Sequence, residues 1–245
     1  MSARKTGATA LRVGRQLRRD PRTIALLLLV PSLLMWLLSE IFGANSHTFR
    51  SLAVPMLGMF PFIIMFLITS ITMLRERTGG TLERLMSMPI HKLDLLFGYG
   101  IAFAAVAALQ AAFVSGVAYV VIGLDTAAPA GWVILLAVAN AVCGMALGLF
   151  VSAFANTEFQ AVQFMPAFLL PQLLICGLFV ARDQMAQWLQ TVSDLAPLTY
   201  AYGALAELAQ QGEMTSTAWT DLAVVIGFTL LALGGGALTL RRRTA

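Results

Sequence analysis

Three charges in succession, Arg75-Glu76-Arg77, are followed by Thr78-Gly79-Gly80-Thr81 and then by Leu82-Glu83-Arg84-Leu85-Met86-Ser87-Met88-Pro89-Ile90. No catalytic motif is visible in this run. The rest of the chain offers no catalytic constellation either. It contains no G-x-x-x-x-G-K-[ST] loop, no H-E-x-x-H and no G-x-S-x-G, so neither a nucleotide cradle nor a metal or serine hydrolase site is expected. His47 and His91 fall on opposite sides of the topology derived below and cannot share a site. Cys143 and Cys176 lie in apolar stretches without a Cys or His at ligand spacing, so neither a zinc site nor a structural disulfide is expected.

The segment 75–95 is therefore read for what it can hold. Thr81 is placed to cap a helix and Glu83 to sit in its first turn, where the helix dipole favours an acid. Pro89 stops the helix after about two turns, and the preceding glycines allow a sharp change of direction. A helix that short is marginal in water. Either it folds back on the neighbouring helices, or it docks in a partner's groove through Leu82, Leu85 and Met86.

The elements that position this segment follow from composition. Apolar residues make up 59% of the chain and charged residues 11%, with a mean hydropathy of +0.82. A soluble domain is about 45–50% apolar and about 25% charged. Lipid is the cheaper explanation. Six stretches are long and apolar enough to cross a bilayer core as helices: 22–42, 52–74, 96–122, 131–154, 160–180 and 219–240. The runs are continuous, not alternating, which selects helices over barrel strands. The fold class expected is an all-α polytopic membrane protein with six transmembrane helices and both termini cytoplasmic, as one domain over residues 1–245.

Before the first span, Ala10, Val13, Gly14 and Leu17 recur at helical spacing while Arg12, Arg15, Arg18, Arg19 and Arg22 lie mostly on other faces. Residues 1–20 are read as an amphipathic helix on the inner membrane surface, with a disordered basic tail as the alternative. Asp20 can cap the first span and Pro21 fits its first turn. The basic stretch is long for a signal peptide and the first span lacks a small-residue cleavage site, so that span is expected to be retained. With the N-terminus inside, every Lys and Arg except Arg50 and Arg182 falls on the cytoplasmic side, a strong positive-inside bias. The same bias accounts for the pI near 9.5, and no nucleic-acid partner is expected. The external segment 181–218 is amphipathic, and short helices lying on or dipping into the outer leaflet are expected, with Pro197 separating two of them.

The spans carry essentially no charge near their centres; Glu40 comes closest, at the outer end of the first. An ion-coupled carrier places a titratable group there, and this chain does not. Gln110, Asn140, Gln163 and Gln172 read first as helix-contact residues, and Gly144 and Gly148, spaced G-x-x-x-G, as a packing face. Pro166 and Pro171 should kink the fifth span, and Gly177 either ends it early or opens a re-entrant turn.

Arg-Glu-Arg, then Gly-Thr-Leu-Glu-Arg-Leu, then Pro-Ile resembles the signature of ABC type-2 transporter permeases, of the daunorubicin-exporter-like and nodulation-factor-exporter-like kinds. A second stretch resembles the same family after its fifth helix: Gly177-Leu178-Phe179-Val180, Asp183-Gln184-Met185, Trp188-Leu189 and Leu195-Ala196-Pro197-Leu198-Thr199-Tyr200. The doubled Gly79-Gly80 and Ala181, where a Pro is common, are departures that bear on local geometry. The resemblance implies that 81–89 is a coupling helix seated on a separate ATP-binding subunit, with Thr81, Leu82, Glu83, Arg84, Leu85 and Met88 in contact and Pro89 ending it. Arg75, Glu76 and Arg77 would close the inner end of helix two. It further implies two permeases, identical or paralogous, and two ATP-binding subunits that hold the ATP and Mg. This chain itself would carry no cofactor, no metal and no ATPase site.

The implied pathway lies between the permeases, lined by helices one, two and five, with Gln163, Pro166, Gln172 and Met65 as candidate lining residues. Export of a hydrophobic or amphiphilic compound across a bacterial cytoplasmic membrane follows from the resemblance, a drug or antibiotic first and a lipid or glycan next. The rival readings are an ion-coupled carrier, which would work without an ATPase, and a membrane enzyme or scaffold, which would act alone.

Overall fold

The computed structural model describes residues 3–81 and 92–239, and every regular element among them is helical. The chain opens with α1 (Ala3–Arg18), which buries Thr9, Val13 and Leu17 against α4 (Lys92–Gly116). These three positions recur every four residues, the stripe of an amphipathic helix. The Thr9 side chain fills the space that a Cβ at Gly98 would need.

A one-turn break leads into α2 (Pro21–Phe42). Asp20 accepts from the Thr23 N–H (3.2 Å) and the Thr23 hydroxyl (2.6 Å), and Pro21 occupies the first turn. These hydrogen bonds, the side-chain one foremost, hold the Asp20 carboxyl below its ordinary range. Helix α2 meets the bundle along a narrow edge, Leu27, Pro31, Met35 and Ser39. Its other faces leave Leu26, Leu29, Leu33, Trp36 and Ile41 exposed.

The centre of the bundle is α3 (His47–Thr78) packed on α5 (Ala130–Val151). At 32 residues α3 is roughly 48 Å long. Among lipid-surrounded helices apolar burial gives no preference for protein over lipid, so close backbone approach and hydrogen bonds must hold the pair. Gly144 and Gly148 supply the approach. A Cβ at either position would run into the carbonyl oxygen of Phe62 or Phe66 on α3. The G-x-x-x-G spacing is thus a packing face within the chain.

Helix α4 ends in a π-helical turn, Val117–Val121. After α5 come α6 (Glu158–Ile175), a 3₁₀ turn at Arg182–Gln184, α7 (Gln187–Ser193), α8 (Pro197–Gln211) and α9 (Ser216–Thr239). Helix α6 continues through Pro166 and Pro171 and stops at Ile175, short of the expected 180, because Gly177 takes a left-handed φ of +102° and turns the chain. In the segment that follows, α7 buries only Ser193, and α8 packs on the bundle. Helix α8 starts at Pro197 and buries Leu198, Ala201, Ala204, Leu205 and Leu208 against α3, α5 and α9.

Buried amides fasten these contacts. Asn140 donates to the Ala201 carbonyl (2.8 Å), and Gln110 donates to the Leu27 carbonyl (3.0 Å). Gln172 donates to the Phe168 carbonyl and accepts from the Leu198 N–H. Helix-contact roles are therefore filled by three of the four amides singled out in the sequence.

Five described helices are long and apolar enough to cross a membrane: Pro21–Phe42, His47–Thr78, Phe97–Val121, Ala130–Val151 and Ser216–Thr239. The fold is that of an all-helical, multi-pass membrane protein. The remaining expected span corresponds to α6, whose 18 residues include Glu158, Gln160, Gln163, Gln172 and two prolines.

Candidate functional site at the charged end of the bundle

Successive residues on a helix point about 100° apart, so Arg75, Glu76 and Arg77 at the end of α3 must face three directions. Each meets a different part of the molecule. Arg75 reaches α6, where its Nε and Nη2 donate to the two carboxylate oxygens of Glu158 at 2.8 and 2.9 Å. Arg77 turns to α9, with Nη2 3.5 Å from the Thr239 hydroxyl. Glu76 turns inward and is 4% exposed.

Around Glu76 the donors come from two other helices. Arg12 Nη2 donates to Oε2 at 3.0 Å and Gln16 Nε2 to Oε1 at 2.9 Å, both from α1. The Tyr99 hydroxyl, on α4, donates to Oε2 at 2.9 Å and accepts from Arg12 Nη2 at 2.7 Å. Arg12, Tyr99 and Glu76 thus close a triangle in which every partner is charged or polarised by a charge. The Tyr99 ring stacks on Phe103 at 6.3 Å between centroids, which fixes the hydroxyl in place. Helices α1, α3 and α4 are tied at one point.

The same end of α3 leads into the segment singled out in the sequence. The Gly79 N–H closes the helix on the Arg75 carbonyl (2.9 Å). Gly80 then takes φ +70°, the left-handed turn that the glycine pair allows, and Thr81 is again helical. Leu82, Glu83, Arg84, Leu85, Met88 and Pro89 lie outside the described residues. The described chain resumes at the start of α4, which carries Tyr99. The node therefore joins α3 and α4, the two described helices that flank residues 82–91.

Of the candidate lining residues, Gln163 and Pro166 are exposed on α6. Met65 is fully buried in the core, and Gln172 is 7% exposed, occupied with α8. Met65 does not reach the surface of the single chain, and Gln172 barely does. Below them, Phe66 of α3 stacks on Phe168 of α6 at 5.9 Å, with Leu74 and Ala161 buried nearer the Arg75–Glu158 pair.

Sequence reasoning did not nominate Arg12, Gln16, Tyr99 or Glu158. One signal for the first two was present: Arg12 and Gln16 are four apart and flank the buried stripe of α1, so they border whatever that stripe packs on. Tyr99 and Glu158 had no local signal. Their role depends on helices brought together from distant parts of the chain.

The fold and this end of the bundle define a multi-pass helical protein whose charged residues tie three helices together at one end of α3. The family described as ABC-2 type transporter matches residues 5–208, and the chain belongs to that family. It is similar to ABC transporter G family member 20 of Dictyostelium discoideum, 23% identical over 201 residues, covering 81% of this chain and 28% of the relative. The probable multidrug ABC transporter permease YbhR of Escherichia coli K12 is 24% identical over 191 residues, covering 77% and 51%. The linearmycin resistance permease protein LnrN of Bacillus subtilis is 20% identical over 170 residues, covering 69% and 44%. The chain thus spans between about a quarter and a half of the length of these curated relatives.

Proposed function

We propose that this chain is the membrane-spanning subunit of an ATP-driven exporter, working with a separate ATP-binding subunit. The observation that carries the reading is the node around Glu76. It ties α1, α3 and α4, the last two flanking residues 82–91, so a force on that segment is passed to three helices together. The family match supports the general class. The names of YbhR, a probable multidrug permease, and LnrN, a linearmycin resistance permease, favour a drug or antibiotic-like amphiphile as cargo.

In this reading all six expected spans cross the membrane, α6 being the fifth, and the node lies on the cytoplasmic side. Arg12, Arg75, Glu76, Arg77, Glu158 and Thr239 share one end of the bundle, which agrees with even passage and with the positive-inside count. Two permeases and two ATP-binding subunits form the complex, and the ATP-binding subunits hold ATP and Mg. The apolar faces of α2 and α6 are where a second permease would sit and where Gln163 and Pro166 would meet the pathway. Closure of the ATPase pair on nucleotide would push Thr81–Pro89. The Arg75–Glu158 pair, which clasps α3 to α6, is placed to be released when those helices separate. Such a push shifts the equilibrium only if the two arrangements contact the motor differently.

Co-purification tests the partnership. An ATP-binding subunit expressed with the tagged chain is expected to be retained, and to be lost with Leu82→Asp or Glu83→Arg. Retention by both variants would remove the coupling role from this segment.

A further inference from the structure

The corner between α1 and α2 gathers charge that the fold does not use. Arg15 and Arg18 lie in the last turn of α1, Arg19 in the one-turn break, and Arg22 in the first turn of α2. All four are exposed. Among the described residues none of their side chains makes a hydrogen bond or an ion pair, whereas Arg12 is engaged by Glu76. Asp20 is the one acid in the stretch from Ala3 to Ser39, and both its oxygens accept from Thr23. Four arginines against one aspartate leave an excess of three positive charges over residues 15–22.

An apolar strip continues from this charge along α2. Arg22, Leu26, Leu29 and Leu33 recur at i, i+4, i+7 and i+11, one face of a helix. Leu26, Leu29 and Leu33 are 61%, 62% and 52% exposed, and α2 is long and apolar enough to cross a membrane. From Arg22 to Leu33 is roughly 17 Å along the axis. That is close to the depth of one leaflet, half of a hydrocarbon core about 30 Å thick. The strip is uncovered where it meets the arginines, and the two features together have the order of a lipid: phosphate at the surface, acyl chain below.

We propose that the α1–α2 corner binds an acidic phospholipid, its phosphate held by Arg18, Arg19 and Arg22 and one acyl chain laid along Leu26, Leu29 and Leu33. The planar donors of arginine match two phosphate oxygens at once. A basic cluster beside a span gains about fivefold in affinity for acidic lipid with each residue near the surface. A zwitterionic headgroup leaves the excess charge uncompensated, and a free anion leaves the leucine strip unused. In the topology proposed above the leaflet is the cytoplasmic one. Helix α1 also carries Arg12 and Gln16, which hold Glu76, so lipid at the corner braces the helix that supplies the node's donors. Binding requires no ATP-binding subunit, and the inference stands apart from the transport reading.

Titration of the purified full-length chain in detergent with phosphatidylglycerol, and with phosphatidylcholine of the same acyl chains, tests it by native mass spectrometry. The native chain is expected to bind phosphatidylglycerol at least about tenfold more tightly than phosphatidylcholine. Arg22→Gln should weaken phosphatidylglycerol binding about fivefold, and the triple variant Arg18→Gln, Arg19→Gln, Arg22→Gln on the order of a hundredfold. Arg4→Gln makes the same charge change roughly 21 Å from Arg18 along α1 and should leave the affinity unchanged. Phosphatidylglycerol should also raise the melting temperature of the native chain and not that of the triple variant. Equal affinity for the two lipids would overturn the proposal, as would equal losses in Arg4→Gln and Arg22→Gln, which would reduce the effect to net charge. Displacement of the lipid by millimolar inorganic phosphate would overturn it too, because the leucine strip would then contribute nothing. If the triple variant fails to fold, the comparison of Arg22→Gln with Arg4→Gln still decides the matter.

Discussion

Replacing Glu76 by Ala removes the acceptor on which Arg12, Gln16 and Tyr99 converge at 2.9–3.0 Å. Hydrogen bonds to a charged group contribute about 1.5–3 kcal/mol each, and breaking a buried ion pair costs about 3–5 kcal/mol because the other charge is left unpaired. Here the Arg12 side chain is 36% exposed while that of Glu76 is 4% exposed, so water can recover part of the Arg12 term. A loss of about 2–3 kcal/mol remains after that discount. For a chain of this length it corresponds to a fall in melting temperature of roughly 4–12 °C. Glu76→Gln keeps the shape and one acceptor, and about half the loss is expected. The local consequence is undocking and fraying of α1, whose unfolded backbone trypsin could then cut at Arg15, Arg18 and Arg19, side chains that are exposed in the docked helix as well. Limited trypsinolysis in lipid nanodiscs, with N-terminal sequencing of the fragments, reads this directly alongside the melting curve. A double-mutant cycle with Arg12→Ala should give a coupling of about 1–2 kcal/mol. A cycle with no coupling, or an unchanged digestion pattern in Glu76→Ala, would refute the argument that this node holds three helices together.

Three further outcomes follow from the same geometry. Gly148→Ala places a methyl against the Phe66 carbonyl and should cost about 1–3 kcal/mol in thermal stability, whereas Gly227→Ala, with open space around it, should be near neutral. The Arg75–Glu158 pair is more than half exposed on both sides and contributes only about 0.2–1 kcal/mol, so Arg75→Glu should barely change melting but should alter transport. Exchanging the two, Arg75→Glu with Glu158→Arg, should restore it if the pair acts as a clasp. Asp20 has its pKa lowered from an ordinary value of 3.8, so its cap stabilises the start of α2 fully above that value and is lost as pH falls through the lowered one. The melting-temperature gap between native and Asp20→Ala chains should therefore be constant near neutrality and close below pH about 4.

Where a feature depended on periodicity or on one residue's own conformational needs, the sequence was legible. The Asp20 cap, the glycine turn at Gly80, the G-x-x-x-G packing face and the helix pair divided at Pro197 all have local causes. The end of the fifth expected span was legible only in part. Hydropathy alone carries it to 180, whereas Gly177, expected either to end the span early or to open a re-entrant turn, takes a left-handed φ, and α6 stops at Ile175. The charged triplet 75–77 was visible, but its division among three helices was not. Three charges on a helix end read equally well as a solvated face, and only the docking of α1 and α4 decides that Glu76 turns inward. Met65 illustrates the converse: a Met in a span carries no mark that distinguishes core from lining, and the packing of α3 in the centre of the bundle buried it.

In the proposed mechanism an ATP-binding subunit drives this chain through the segment after Gly80. Inside-out membrane vesicles containing the chain and its ATP-binding subunit provide the most direct measurement, with uptake of a fluorescent amphiphile followed on adding ATP. Uptake is expected to require ATP and the ATP-binding subunit, to survive a protonophore, and to be abolished by Leu82→Asp while that variant still inserts and folds. Uptake that persists without the ATP-binding subunit and collapses with the protonophore would contradict it.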